Sequence, residues 1–197
     1  MRARYLALLL ACVLAEPAGA EIVTSVKVET YPVAGDNGDA LLRAMDKHGP
    51  KQGFLARAVA QTRYGVDWKI HWQKTGGGCR PEKVEARLSI AYRYPDMKGR
   101  ASSSMTRKWA TFMKGVRAHE QTHGRLAQQM VAAAHKAVVK VRFDRDPGCR
   151  KAQREVARRI DVAYAEYEGR QNRFDAIEHA PGGHVDQLVD RLVRRGK

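Results

Sequence analysis

The residues best placed to do chemistry together are His119, Glu120 and His123, within the run His119-Glu120-Gln121-Thr122-His123. On a helix, side chains four apart stand one turn above each other on the same face, so both imidazoles reach a single ion. The glutamate beside the first histidine is set to take a proton from water rather than to bind the ion. Zinc is the metal this pattern implies, because it polarises a carbonyl and lowers the pKa of water while Glu120 acts as general base. The predicted activity is hydrolysis of peptide bonds by a zinc metallopeptidase of the HExxH type, with a peptide or protein as substrate.

That chemistry needs a helix, and the flanking sequence supplies one. After residue 100 apolar residues recur with a period of about 3.6, from Trp109, Phe112 and Val116 through Met130, Ala134 and Val138 to Val141. His119 and His123 fall inside this stripe, where an unpaired polar group costs about 1–3 kcal/mol, so both need a partner. His135 lacks such a context and is expected to face solvent. Asp144 to Gly148 breaks the helix, and Cys149 opens a second one to about His179. Val156, Ile160, Tyr164, Tyr167, Phe174 and Glu178 line one side of it. Pro181-Gly182-Gly183 ends that helix, and an amphipathic stretch from Val185 to Val193 leads into the basic tail Arg194-Arg195-Gly196-Lys197.

Ahead of the helices the period is two. Ile22 to Val33 is rich in β-branched residues and reads as a first strand; Asp39 to Lys47 reads as a short helix stopped by Gly49-Pro50. From Phe54 the chain turns β-like again. Val66, Trp68, Ile70 and Trp72 alternate with polar residues, as do Val84, Ala86, Leu88, Ile90, Tyr92 and Tyr94. Gly76-Gly77-Gly78 joins these two runs; lacking the lysine and helix of a phosphate loop, it reads as a hairpin turn. The predicted fold class is α+β: N-terminal antiparallel β-strands with a short helix, followed by a long two-helix hairpin that carries the histidine motif.

The chain opens Met1-Arg2-Ala3-Arg4, continues with an apolar run from Tyr5 to Leu14, and reaches Ala18-Gly19-Ala20. This order describes a secretory signal peptide over residues 1–20, cut after Ala20, with residues 21–197 as one domain. No later run is long enough for a transmembrane segment, so a periplasmic or secreted protein is expected. In that compartment the remaining cysteines, Cys79 and Cys149, are expected to form a disulfide. The net charge of +15 favours anionic envelope polymers as partners. Aromatics scarcely interleave with the basic residues, which argues against specific nucleic-acid binding.

Zinc catalysis needs a third protein ligand and one open position. A metzincin would carry histidine at position 129, which is Gln129 here. Antiparallel pairing of the two helices favours Glu166 or Glu168 by height, the apolar stripe favours Glu178, and His179 beside Pro181 can turn inward. Spacing leaves these open.

Tyr31-Pro32-Val33-Ala34-Gly35, Gly49-Pro50, Trp68, Trp72, Cys79, Tyr94-Pro95, the histidine motif and Cys149 occur in an order shared with one family. Over nearly all of residues 21–197 the chain resembles a bacterial family of unknown function described as predicted secreted zinc-dependent proteases. Near its end that family carries a Tyr-Asp pair and then a His-Gly pair; here these read Phe174-Asp175 and His179-Ala180. The resemblance implies His179 as third ligand, with Asp175 one turn away as its partner. Replacing the tyrosine by Phe174 removes a hydroxyl that would steady an oxyanion, which implies weaker activity unless Tyr164 or Tyr167 substitutes. The alternative expectation is a non-catalytic envelope protein, with a degenerate peptidase site or a structural zinc site closed by Glu178 or Asp175, binding anionic polymers.

Overall fold

The computed structural model describes residues 21–52 and 56–194. In chain order these form β1 (Glu21–Ala34), α1 (Gly38–His48), β2 (Lys51–Gln52), β3 (Ala56–Arg57), β4 (Gln61–Thr75), β5 (Gly78–Lys98), α2 (Ser103–Val138), α3 (Arg150–Glu178) and α4 (His184–Val193). The expected signal peptide, Phe54 and the end of the basic tail lie outside the described residues.

β5 is the strand on which the rest assembles. Its Val84, Ala86, Leu88, Ile90, Tyr92 and Tyr94 are all buried, the outcome of a period-two pattern with one face against the helices. The three-stranded sheet has the order β1-β5-β4. β4 and β5 form the expected antiparallel hairpin, turning through Gly76 (φ 57°) and Gly77 (φ 84°), a backbone region that favours glycine. β1, expected to be antiparallel, runs parallel to β5, with Glu21 beside Glu85 and Ala34 beside Lys98. The chain reverses once through α1 to enter β4 and again at the hairpin, and two reversals restore the first direction. The α+β class therefore holds, with a mixed sheet.

α2 is 36 residues long and starts where Ser102 Oγ accepts from the Met105 amide at 3.1 Å, the expected device for an orphan N–H. Phe112, Met113, Val116, Ala127, Met130, Val131, Ala134 and Val138 form its buried face; Val141 is buried just past its end. α3 returns antiparallel, since Arg159 Nη1 donates to the Ala137 carbonyl at 2.7 Å and Gln171 meets His123 further along. His135 is half-buried and its Nε2 is enclosed without a hydrogen-bond partner among the described residues, which corrects the solvent-facing expectation. Its neighbours Ala134 and Val138 are fully buried, so the ring sits on the edge of the core face.

The turn into α3 is fixed covalently. Cys149 adopts a left-handed conformation (φ 59°) and is joined by a disulfide to Cys79 on β5, 70 residues earlier, as expected from the cysteine count. Cys149 offers no capping oxygen. Asp146 does so instead, accepting from the Ala152 amide at 2.9 Å. Burial opposes the charge of Asp146, yet the amides of Ala152, Lys151 and Arg150 together hold its carboxyl below the ordinary range.

α4 is seated by two glycines. A Cβ on Gly115 of α2 would lie 2.4 Å from Leu188 Cδ1, and one on Gly38 of α1 would lie 2.3 Å from the Leu192 carbonyl oxygen. Only bare backbone lets α4 nest against both helices. Among the described residues no helix is long and apolar enough to cross a membrane.

Candidate metal centre

Helical spacing on two antiparallel helices builds the site. α2 carries His119 and His123 one turn apart; α3 brings Gln171 and Asp175 alongside, and His179 stands at its C-cap with its amide donating to the Asp175 carbonyl at 2.9 Å. Residues 171, 175 and 179 are successive four-residue steps, so they share one side of α3.

Three donor atoms converge. The Nε2 atoms of His119 and His123 are 3.1 Å apart, and Asp175 Oδ1 lies 3.0 Å from His123 Nε2 and 3.5 Å from His119 Nε2. A tetrahedral zinc with ligands at 2.0–2.2 Å holds neighbouring ligand atoms about 3.3 Å apart. The triangle therefore has the size of one face of a zinc tetrahedron. His179 flanks it on another side: His119, Asp175 and His179 offer ligand atoms within 4.8 Å of one another, and the His119 and His179 rings stand nearly perpendicular, 5.3 Å between centroids. Asp175 Oδ1 and His119 Nδ1 are both buried without a hydrogen-bond partner among the described residues. Polar atoms left so are costly, and a carboxylate oxygen between two imidazole nitrogens fits a cation of the zinc class.

The remaining sequence candidates fall into two groups. Glu178 Oε2 is 3.5 Å from His119 Nδ1, the nitrogen other than the one near Asp175, so it stands behind the ring rather than with the converging atoms. Glu166 and Glu168 are exposed and outside the cluster. Phe174 stacks on His119 (centroids 4.9 Å apart) and meets His123 edge-on at 5.2 Å, so it packs both imidazoles.

Glu120 is 7 % exposed. Thr62 Oγ1, from the second residue of β4, donates to its Oε2 at 2.6 Å. Burial raises the Glu120 carboxyl pKa above its ordinary value, while the Thr62 hydrogen bond and His123 pull it down and Asp175 pushes it up. His119 is displaced in the opposite sense for a base: burial first, then His123, lowers its pKa to about 4, leaving a neutral ring at neutral pH. Gln171 Oε1 accepts from His123 Nδ1. That bond fixes the tautomer and leaves the lone pair on Nε2, the nitrogen of the donor triangle.

Sequence reasoning missed Thr62, Gln171 and the part played by Gly124. Gln171 carried a faint signal, since it lies four residues before Asp175 and eight before His179. Gly124, directly after the motif, leaves room for Tyr92: a Cβ there would be 1.9 Å from the Tyr92 hydroxyl. Thr62 gave none, being 58 residues from Glu120. Of the two tyrosines expected near the chemistry, Tyr167 lines the cavity of about 800 Å³ that also exposes His119, Glu120, His123, Asp175 and His179. Its hydroxyl accepts from Gln171 Nε2, and its ring packs edge-on to Tyr64 at 5.0 Å. Tyr164 lies outside that lining, 6.5 Å from Tyr64.

Fold and site thus define an α+β protein with a helix-borne histidine pair facing an Asp-His pair from a second helix. Residues 28–184 match the family described as bacterial protein of unknown function (DUF922), and the chain belongs to that family. The matched span holds every residue of the cluster. No curated protein and no solved structure matches the chain.

Proposed function

We propose that the protein is an exported zinc-dependent hydrolase of peptide bonds. One observation carries the reading: the donor triangle of His119, His123 and Asp175, at 3.0–3.5 Å, shares a cavity with the buried carboxyl of Glu120. His119 and His123, with Asp175 or His179 completing the set, would hold zinc. Zinc bound there supplies Lewis acidity to a peptide carbonyl and to water. Glu120 takes a proton from the water and returns it to the leaving amine. Thr62 donates to Oε2, which leaves Oε1 as the less engaged oxygen for the proton transfer. Burial makes the acid form of Glu120 easier to reach, which suits the second transfer. Because the Tyr167 hydroxyl accepts from Gln171, its own proton is free to steady a developing oxyanion. Export rests on the sequence of residues 1–20 and accords with the Cys79–Cys149 disulfide.

The test is turnover of a mixed peptide substrate by zinc-loaded native protein and by Glu120→Gln. A loss of at least about a hundredfold with zinc retained is expected. Equal turnover in the two proteins would contradict the assignment.

A second reading rests on Asp175. Were His119, His123, His179 and Asp175 all to bind one ion, the fourth position would be closed, as in structural sites. The protein would then be a non-catalytic envelope component using its basic surface on anionic polymers. Under it, zinc removal lowers stability, no peptide is cut, and polymer binding survives Glu120→Gln.

A further inference from the structure

The cavity is not uniform along α2. Phe112 and Val116 lie two turns and one turn before His119, and Val59, Ala60, Leu188 and Val189 join them in the lining. Polar lining residues Tyr64, Tyr167 and Gln171 gather on the His123 side instead. One stretch of the lining is therefore aliphatic and aromatic carbon from α2 and α4, and another carries the hydroxyls of Tyr64 and Tyr167 and the amide of Gln171. The volume of about 800 Å³ exceeds what one side chain fills and lies in the range of sites that hold an extended ligand.

The apolar wall is preformed. Leu188 is 4 % exposed and Phe112 2 %, and Gly115 lets the Leu188 methyls reach the α2 backbone. A wall so fixed loses little order when a ligand arrives. Charge sharpens the contrast with the molecule as a whole. The chain is strongly basic, yet the carboxylates of Glu120 and Asp175 line the cavity, and the lining arginine, Arg57, donates to the Gly49 carbonyl at 2.8 Å. A charged side chain would lose its hydration against this wall; an apolar one would cover the half-buried carbon of Val59 and Val189.

We infer that the ligand of this cavity is a peptide segment with a bulky apolar side chain, of leucine or phenylalanine type, beside the bond to be cut, and that Leu188 and Val189 of α4, with Phe112 and Val116 of α2, set this preference. The inference rests on the peptidase reading for the cut, but the binding preference can be measured without it.

Peptides identical except at one position (Leu, Phe, Ala, Asp or Lys) are bound to zinc-loaded Glu120→Gln protein and, separately, offered to native protein. Leu and Phe peptides are expected to bind at least about tenfold tighter than Ala, the discrimination an apolar pocket gives, and tighter still than Asp. In Val189→Asp that preference collapses; Val189→Thr, nearly isosteric, reduces it while keeping the fold, checked by the melting curve of each variant. Equal binding across the series, a preference for Asp or Lys, or no binding of any peptide overturns the proposal. Preferential binding of Leu and Phe without cleavage by native protein would keep the pocket and sink the peptidase reading. Cleavage without preference would do the reverse.

Discussion

The two ends of the α2–α3 pair are built from the same helices and treated in opposite ways. At the far end, Val138, Val141, Ala152 and Val156 pack around the Cys79–Cys149 disulfide. The buried carboxylate there, Asp146, has its hydrogen bond from Ala152, and among the described residues His135 Nε2 and Trp68 Nε1 are the exceptions. At the near end, His119 and Glu120 are just as buried, at 8 % and 7 % exposure, but His119 Nδ1 and Asp175 Oδ1 have no hydrogen-bond partner among the described residues. One end is sealed by a disulfide and apolar packing; the other holds polar groups around a cavity. The difference separates a stabilising end from a candidate metal site along one helix pair, so that the cost of the second is offset by the first.

Breaking the sealed end should have the largest effect on folding. Cys79→Ala with Cys149→Ala opens a loop of 70 residues, which removes about 4 kcal/mol by loop entropy. A denaturant titration checks it, and an unchanged midpoint would show that the disulfide is not what holds this end. Zinc should act at the other end: at a hundredfold excess over its Kd it stabilises native protein by about 2.7 kcal/mol and leaves His119→Ala unmoved. Val138→Ala, at a position with 0 % exposure, should cost about 2 kcal/mol in transfer and cavity terms, without changing zinc content.

Acid sharpens the comparison least. The sealed end keeps its carboxylates ionised, since Arg158 and then Arg159 hold Glu155 down to about 2 and Asp146 also lies low. The cavity end does not. Unfolded histidine takes its proton near 6.5, whereas buried His119 resists until about 4. Between those values the unfolded state binds more protons, so stability is lost as pH falls from 6.5 to 4. Glu120, raised by burial, works in the opposite sense. Metal-free Glu120→Gln should therefore show the His119 slope without that opposition, and adding His119→Ala should flatten it between pH 6.5 and 4. The same slope in both proteins would place its origin elsewhere.

Much of this was legible in the sequence because periodicity and punctuation are local. The switch from a period of two to one of about 3.6 located both layers, the histidine pair announced itself by spacing, and Cys79 with Cys149 left one pairing. What was not legible depends on how elements meet. Periodicity gives a strand's faces but not its neighbour's direction, so the parallel entry of β1 was missed. It gives a helix's buried face but not its rotation against a second helix, so spacing left Asp175, Glu178, Glu166, Glu168 and His179 open and could not show that Asp175 Oδ1 lies 3.0 Å from His123 Nε2. Thr62 reaches Glu120 only because β4 passes under the motif.

The most direct test of the central claim is elemental analysis of the purified protein after dialysis, native against His119→Ala and His123→Ala. The account predicts stoichiometric zinc in the native protein and none in either variant, with all three folded. Native protein free of metal even after zinc is offered, or variants that keep it, would contradict the account and leave the histidines as residues of the helix packing.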